Sequence, residues 1–290
     1  MEFNHGLELL QLCEATGLPI SQVMKKREAE FSGISEEEVD KKMEKALEIM
    51  KRSVSEPLVS PTASIGGLIG GEAKKLNEHR KQGKAVCGSL VSKAITYAMA
   101  VLEVNASMGV IVAAPTAGSS GVVPGVLLAL KEEFELSDEM ILNGLYTAGA
   151  VGYLLMRNAS VAGAEAGCQA EVGAASAMAA AAVTEIMGGT ADMCLYAASA
   201  ALSNLLGLVC DPIAGLVESP CQSRNAIGAS NALICAEQAL AGIPWPIPFD
   251  EMAEAMYHVG RSLPFELRES ALGGCAGTPT ACEKTCRIFG

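Results

Sequence analysis

Cys168, Cys210 and Cys221 are the residues of this chain best placed to do chemistry. Each sits beside glycine, proline or a polar break rather than inside an apolar run: Ala-Gly-Cys168-Gln, Val-Cys210-Asp-Pro and Ser-Pro-Cys221-Gln. Three thiolates are one short of the four that close a tetrahedral zinc or iron–sulfur site. A metal held this way keeps a position open for a substrate oxygen, so three is a catalytic number.

The elements around the cysteines predict how they meet. Cys168 precedes an alanine-rich helix over residues 170–187, and Cys210 ends the next helix, 191–209, just before Asp211-Pro212. Cys221 follows Pro220 and stands before a helix over 222–241. Antiparallel neighbours joined by a short turn return the chain close to its start, so all three thiols can converge. Cys168 and Cys221 lie at helix N-termini, where free amides and the dipole favour thiolate. The competing reading is that these are ordinary buried cysteines, which Cys13, Cys194, Cys235 and Cys87 are expected to be. Cys275, Cys282 and Cys286 form a separate group near the C-terminus, with no spacing that marks a zinc site.

Further helices are expected over 5–16, 21–31, 86–104, 126–134, 138–157 and 250–261. Ser35 and Glu38 match a capping box that opens a charged helix running to Val54. The fold class is all-α, a single large helical domain. Residues 1–55 are expected as an amphipathic layer, and 56–290 as a core of Ala/Gly-rich helices with Gly/Ser-rich loops. No alternating strand pattern or βαβ rhythm occurs, and only Val110 to Val112 suggest a brief strand.

Composition narrows the function. The net charge is -12, the wrong sign for nucleic acid, whose phosphates need Lys and Arg. Residues 193–210 form an uncharged run, but Asp192 and Asp211 flank it and no basic cluster lies beside it, so a buried helix is expected rather than a membrane span. The start of the sequence lacks a basic stretch followed by an apolar one, which predicts a cytoplasmic protein with reduced cysteines.

Two loops stand out: residues 60–71, Ser-Pro-Thr-Ala-Ser-Ile-Gly-Gly-Leu-Ile-Gly-Gly, and residues 114–125, Ala-Pro-Thr-Ala-Gly-Ser-Ser-Gly-Val-Val-Pro-Gly. Together with Cys168-Gln-Ala-Glu-Val-Gly, Cys210-Asp-Pro-Ile-Ala-Gly, Pro220-Cys221, Arg224-Asn225-Ala226 and Ala271-Leu-Gly-Gly, these motifs resemble the α subunit of the iron–sulfur-dependent L-serine dehydratases of the bacterial two-subunit type. The resemblance covers nearly the whole chain, in motif order and in the spacing of the cysteines.

The resemblance implies a [4Fe-4S] cluster held by Cys168, Cys210 and Cys221, with one iron acting as Lewis acid on the β-hydroxyl of L-serine. It implies an ammonia-lyase reaction giving pyruvate and ammonia without pyridoxal phosphate. The family's proposed base is a histidine in a Ser-Ser-Ser-His motif on the β domain. That motif is absent here, and His5, His79 and His258 sit in unpromising surroundings, so a separate β chain is expected to complete a hetero-oligomer. Substrate contacts are expected from Ser64, Gly66, Gly67, Thr116, Ser119, Ser120 and Gly121, and from Arg224 and Asn225 beside Cys221. Ordinary glycine turns explain the loops equally well, and Arg224 alternatively pairs with Glu218. Some family members place a C-terminal cysteine at the fourth iron, but here Cys286 is followed by four more residues and is not assigned that role. A redox or iron-sensing protein would use the same three thiolates, and a transporter would use the Ala/Gly-rich helices.

Overall fold

Alanine decides the centre of the fold. Helix α9 (Ala174–Ile186) is buried at every position from Ala174 to Thr184. Side chains this small let neighbouring backbones approach from all sides. Four helices use that freedom and pack on α9: α6 (Val122–Glu133), α7 (Asp138–Asn158), α10 (Ala191–Asn204) and α11 (Cys221–Leu240). The contacts are close. A methyl group on Gly144 of α7 would sit 2.5 Å from Ile186, and one on Gly228 of α11 would sit 2.7 Å from Val172.

The computed structural model describes residues 1–290 and contains thirteen α-helices and no strand, an all-α fold as expected. Helix α5 (Gly88–Ala106) crosses α6 at Gly121 and Gly125, where Cβ atoms would lie 2.2 Å and 2.7 Å from the backbone at Ala98. At the N-terminus, α1 (Gly6–Thr16), α2 (Ile20–Ser32) and α3 (Glu36–Val59) wrap this centre, α2 against α7 and α3 against α5. Phe3, just ahead of α1, and Leu9, Ile20, Val23, Leu47 and Met50 on these helices join the same hydrophobic cluster as α9. Apolar burial on this scale is the main favourable term in folding. The capping box at α3 forms: the Ser35 hydroxyl accepts from the Glu38 amide, and the Glu38 carboxylate accepts from the Ser35 amide.

Several expectations need correction. Helix α3 runs on to Val59 through Pro57. Proline removes one donor, but the helix still closes, with the Ser60 amide on Glu56 O at 2.9 Å. The alanine-rich helix begins with a π-helical turn, Gln169–Gly173, directly after Cys168. Helix α10 stops at Asn204, so Cys210 ends no helix; it lies in extended chain bridged to Arg268. Residues 110–112 pair with nothing and form no strand. Cys87 is exposed, not core.

Two helices complete the sequence reading, α4 (Glu72–Lys81) and α13 (Pro279–Phe289), the latter capped by the Thr278 hydroxyl. Helices α8 (Gly163–Ala166) and α12 (Phe249–Ser262) flank the cysteine region. No helix is long and apolar enough to cross a membrane.

Candidate active site

The cysteine region is assembled from three stretches of chain. The first turns sharply at Gly167, whose positive φ of 76° favours glycine, and delivers Cys168 into the π-turn. Gln169 then fastens it. Its amide donates to Leu208 O at 2.9 Å, its Oε1 accepts from the Gly207 amide at 2.8 Å, and its Nε2 donates to Met256 O at 3.0 Å. One buried side chain thus ties Cys168 to the approach to Cys210 and to α12.

The second stretch carries Cys210. Its amide donates to Leu267 O at 2.9 Å, and its carbonyl accepts from the Glu269 amide at 2.7 Å. The chain beyond α12 therefore lies along the cysteine rather than trailing away. Asp211 strengthens this contact by accepting from the Cys275 amide at 2.6 Å. Only glycine fits at Gly274, where φ is 57° and a Cβ would stand 2.2 Å from the Asp211 carboxylate.

The third stretch carries Cys221, the first residue of α11. It is pinned through Glu218, whose carboxylate accepts from the Ser64 hydroxyl at 2.6 Å, the Gly66 amide at 2.6 Å and the Leu68 amide at 3.0 Å. The first Gly/Ser loop thus binds a carboxylate, as its composition predicts, but that carboxylate belongs to this chain.

These stretches bring the thiols together. The sulfurs of Cys168 and Cys210 and a carboxylate oxygen of Glu171 all lie within 4.8 Å of one another. Cys221 is a neighbour close enough for the charges of Cys168 and Glu171 to raise its pKa, though it does not fall within 4.8 Å of all three. All three thiols are buried and free of disulfides. The neighbouring Cys168 and then burial push the Cys210 thiol up, and burial pushes Cys221 up. Space beside them is kept by Gly163, where a Cβ would sit 3.0 Å from Cys210 Sγ and 2.6 Å from Glu171 Oε2.

Arg224 closes the back of the site. Its Nη1 lies 2.6 Å from Asp211 Oδ1, donates to Val209 O at 2.8 Å, and reaches Cys168 Sγ at 3.6 Å. The alternative ion pair with Glu218 does not form; Asp211 takes the guanidinium instead. Burial alone would raise the Asp211 carboxyl, but the Cys275 amide and Arg224 hold it below its ordinary value.

The second small-residue loop divides into two functions. Thr116 donates to Glu171 Oε1 at 2.8 Å and lies 3.1 Å from the Ser119 hydroxyl, so both hydroxyls stand at the cysteine site. Ser120 instead bonds Ala117 O within its own turn, and the Gly121 amide donates to Asn225 Oδ1. Asn225 also donates to Gly118 O and Cys221 O, so it is a buried clamp between this loop and the cysteine helix. The Gly67 amide is used in a turn on Ser64 O.

The sequence motifs contain Gln169, Glu171 and Asp211 without giving them a role in the site, and offer Glu218 only as a partner for Arg224. Glu171 had a signal: it stands three residues after Cys168, which places both on one side of a helical turn. Burial pushes its carboxyl up to about 6, a change that the Thr116 hydroxyl opposes. Thiols with one carboxylate form a donor set suited to an iron–sulfur cluster or another thiophilic metal. None of the three histidines belongs to the site; all are exposed, and His258 faces Glu254 on α12.

Comparison with known proteins agrees with this arrangement. The family described as serine dehydratase alpha chain matches residues 15–276. The chain is 47% identical over 288 residues to the probable L-serine dehydratase alpha chain of Bacillus subtilis, covering 99% of this chain and 96% of that one. It is 45% identical over 277 residues to the L-serine dehydratase alpha chain of Peptoniphilus asaccharolyticus, covering 96% and 95% of the two chains. An L-serine dehydratase of Helicobacter pylori is 36% identical over 96% of this chain but only 62% of its own length. Matched along nearly its whole length, this chain belongs to the serine dehydratase alpha chain family.

Proposed function

We propose that this chain is the cluster-bearing subunit of an L-serine ammonia-lyase, which converts L-serine to pyruvate and ammonia. The observation that carries this reading is the meeting of Cys168 and Cys210, from stretches 42 positions apart, beside Cys221, all three buried and free of disulfides. Cys168, Cys210 and Cys221 would hold a [4Fe-4S] cluster. Bound there, the cluster would supply a Lewis-acidic iron that stabilises negative charge on a departing hydroxide.

The chain's own residues do the positioning. Arg224 and Asp211 keep the Cys168 and Cys210 stretches in register, and Arg224 sets a positive charge beside the thiolates. Glu218 and the loop around Ser64 and Gly66 hold the start of α11, and Asn225 fixes the Thr116 loop over Cys221. Thr116 and Ser119 present hydroxyls beside Glu171, where a small hydroxy-amino acid would be oriented. Because Ser64, Gly66, Gly67, Ser120, Gly121 and Asn225 spend these groups inside the fold, their part in substrate binding is to shape the pocket.

The α-proton needs a base, and the site offers no histidine. We place that base on a separate β chain, consistent with the alpha-chain names of the similar Bacillus and Peptoniphilus proteins and with the greater length of the Helicobacter one. The test is anaerobic reconstitution with iron and sulfide, with and without a β chain, and an assay of pyruvate from L-serine. Activity is expected only with both chains and the cluster. Equal turnover by this chain alone would refute the division of labour, and turnover without iron would refute the cluster.

A further inference from the structure

Glu171 places a carboxylate among the thiols, and the positioning described above gives that carboxylate no task. Resting on the cluster reading, we propose that Glu171 is itself a ligand, donating a carboxylate oxygen to the corner of the cluster that Cys168, Cys210 and Cys221 leave unclaimed.

Four observations support this. An oxygen of Glu171 lies within 4.8 Å of both Cys168 Sγ and Cys210 Sγ, the only set of at least three metal-binding side chains in the protein gathered this tightly. No Lys or Arg forms an ion pair with Glu171, although this half-buried carboxylate loses hydration that a cation or a metal would offset. Thr116 donates to Oε1, and Oε2 receives no hydrogen bond. That free oxygen faces the same space as Cys210 Sγ, because both would touch a Cβ at Gly163.

The surroundings also leave the carboxylate room to adjust. Gly118 stands on one side and Gly163 on the other, with hypothetical Cβ atoms at 3.0 Å from Oε1 and 2.6 Å from Oε2. Any side chain at either position would crowd the group. A carboxylate oxygen is also a harder, more exchangeable donor than thiolate, which suits a corner that must accept a substrate hydroxyl.

The experiment compares the full chain with Glu171→Gln and Glu171→Asp after anaerobic reconstitution with iron-57 and sulfide. Iron and sulfide per chain, the Mössbauer spectrum, and the rate at which mild oxidation yields the three-iron EPR signal are read. Wild type is expected to show one iron with a distinct, oxygen-ligated spectrum. In Glu171→Gln that spectrum should change, and the fourth iron should leave about tenfold faster; Glu171→Asp should fall between. Should Glu171→Gln fail to load, Glu171→Asp carries the same comparison. Unchanged spectra and equal rates of iron loss would overturn the ligand, as would a variant whose only defect is a raised KM for L-serine, which would assign Glu171 to the substrate ammonium. A wild-type chain that takes up no cluster would instead overturn the reading beneath it.

Discussion

The Ser64 hydroxyl donates to the Glu218 carboxylate at 2.6 Å, across 154 positions of sequence. Glu218 stands three residues before Cys221, so this contact sets where the third thiol enters the site. Ser64→Ala leaves a buried anion one donor short, which costs about 1–3 kcal/mol and should lower Tm by about 5 °C. Thermal unfolding of the purified chain measures it. If Ser64 served only to bind the substrate carboxylate, KM would rise while Tm stayed put.

Gly121 and Gly149 make a matched pair for packing. A Cβ at Gly121 would lie 2.2 Å from Ala98 O and 2.8 Å from Leu102, where α5 and α6 touch. Gly149 is helical, with open space around its Cβ position. Gly121→Ala should therefore destabilise by about 3 kcal/mol, while Gly149→Ala should stabilise by about 0.5–1 kcal/mol. Denaturant titration of both variants decides the matter; similar losses would show that α5 and α6 have slack.

What could be read from sequence was local. The Ser35–Glu38 capping box and the alanine-rich centre declare themselves within a few residues, and each forms; the three cysteine motifs are equally local, and the fold brings Cys168 and Cys210 together. Partnerships across the fold could not be read. Nothing near Ser64 says that Glu218 fills its loop, and nothing near Cys210 says that residues 267–269 will lie along it. Helix α13 is a different case, because Thr278-Pro279 is a cap followed by a first-turn proline and was legible in principle. Helix α3 passed Pro57 because tertiary packing outweighed the local preference.

Arg224→Lys tests the lock between the cysteine stretches and the C-terminal segment. The guanidinium serves Asp211, Val209 O and Cys168 at once, with its side chain only 11% exposed. A lysine ammonium keeps the charge but not the planar fork. The loss should be about 2 kcal/mol, and amide exchange should speed up in residues 207–212 and 263–278 together. Faster exchange in the first stretch alone would break the proposed coupling through Asp211 and Cys275.

Thiol labelling reports the burial of the site. Cys87, Cys275, Cys282 and Cys286 are exposed, and the other six cysteines are buried. Iodoacetamide at pH 8 should modify the four exposed thiols of the native, metal-free chain and reach the rest only in denaturant. Cys13 has a second protection: burial, followed by Glu185 and Asp192, pushes its pKa up to about 11, so little thiolate is present. Among the exposed four, Cys275 should be slowest, since partial burial and then Asp211 raise its thiol. Peptide mass mapping over time would show it, and early modification of Cys168 or Cys221 would mean that the pocket opens readily.

Glu103 ties α5 to α4 and to the helix that carries Cys221. It is 1% exposed; Oε1 accepts from the Ala73 amide at 2.9 Å and from Gln222 Nε2 at 3.1 Å, while Oε2 has no partner. Burial raises its carboxyl above the ordinary value. A carboxyl that holds its proton more tightly when folded makes the folded state bind more protons than the unfolded one between the two pKa values. Stability attributable to Glu103 must then fall as pH rises through that window and stay low above it. Glu103→Gln keeps an oxygen for both donors without the charge. Its Tm should exceed that of wild type at pH 8, and the gap should close as pH falls towards 4.5, the ordinary value for a glutamate. A gap independent of pH would show that the ionised carboxylate is not the source of the penalty, leaving the unpartnered Oε2 as a packing defect rather than an electrostatic one.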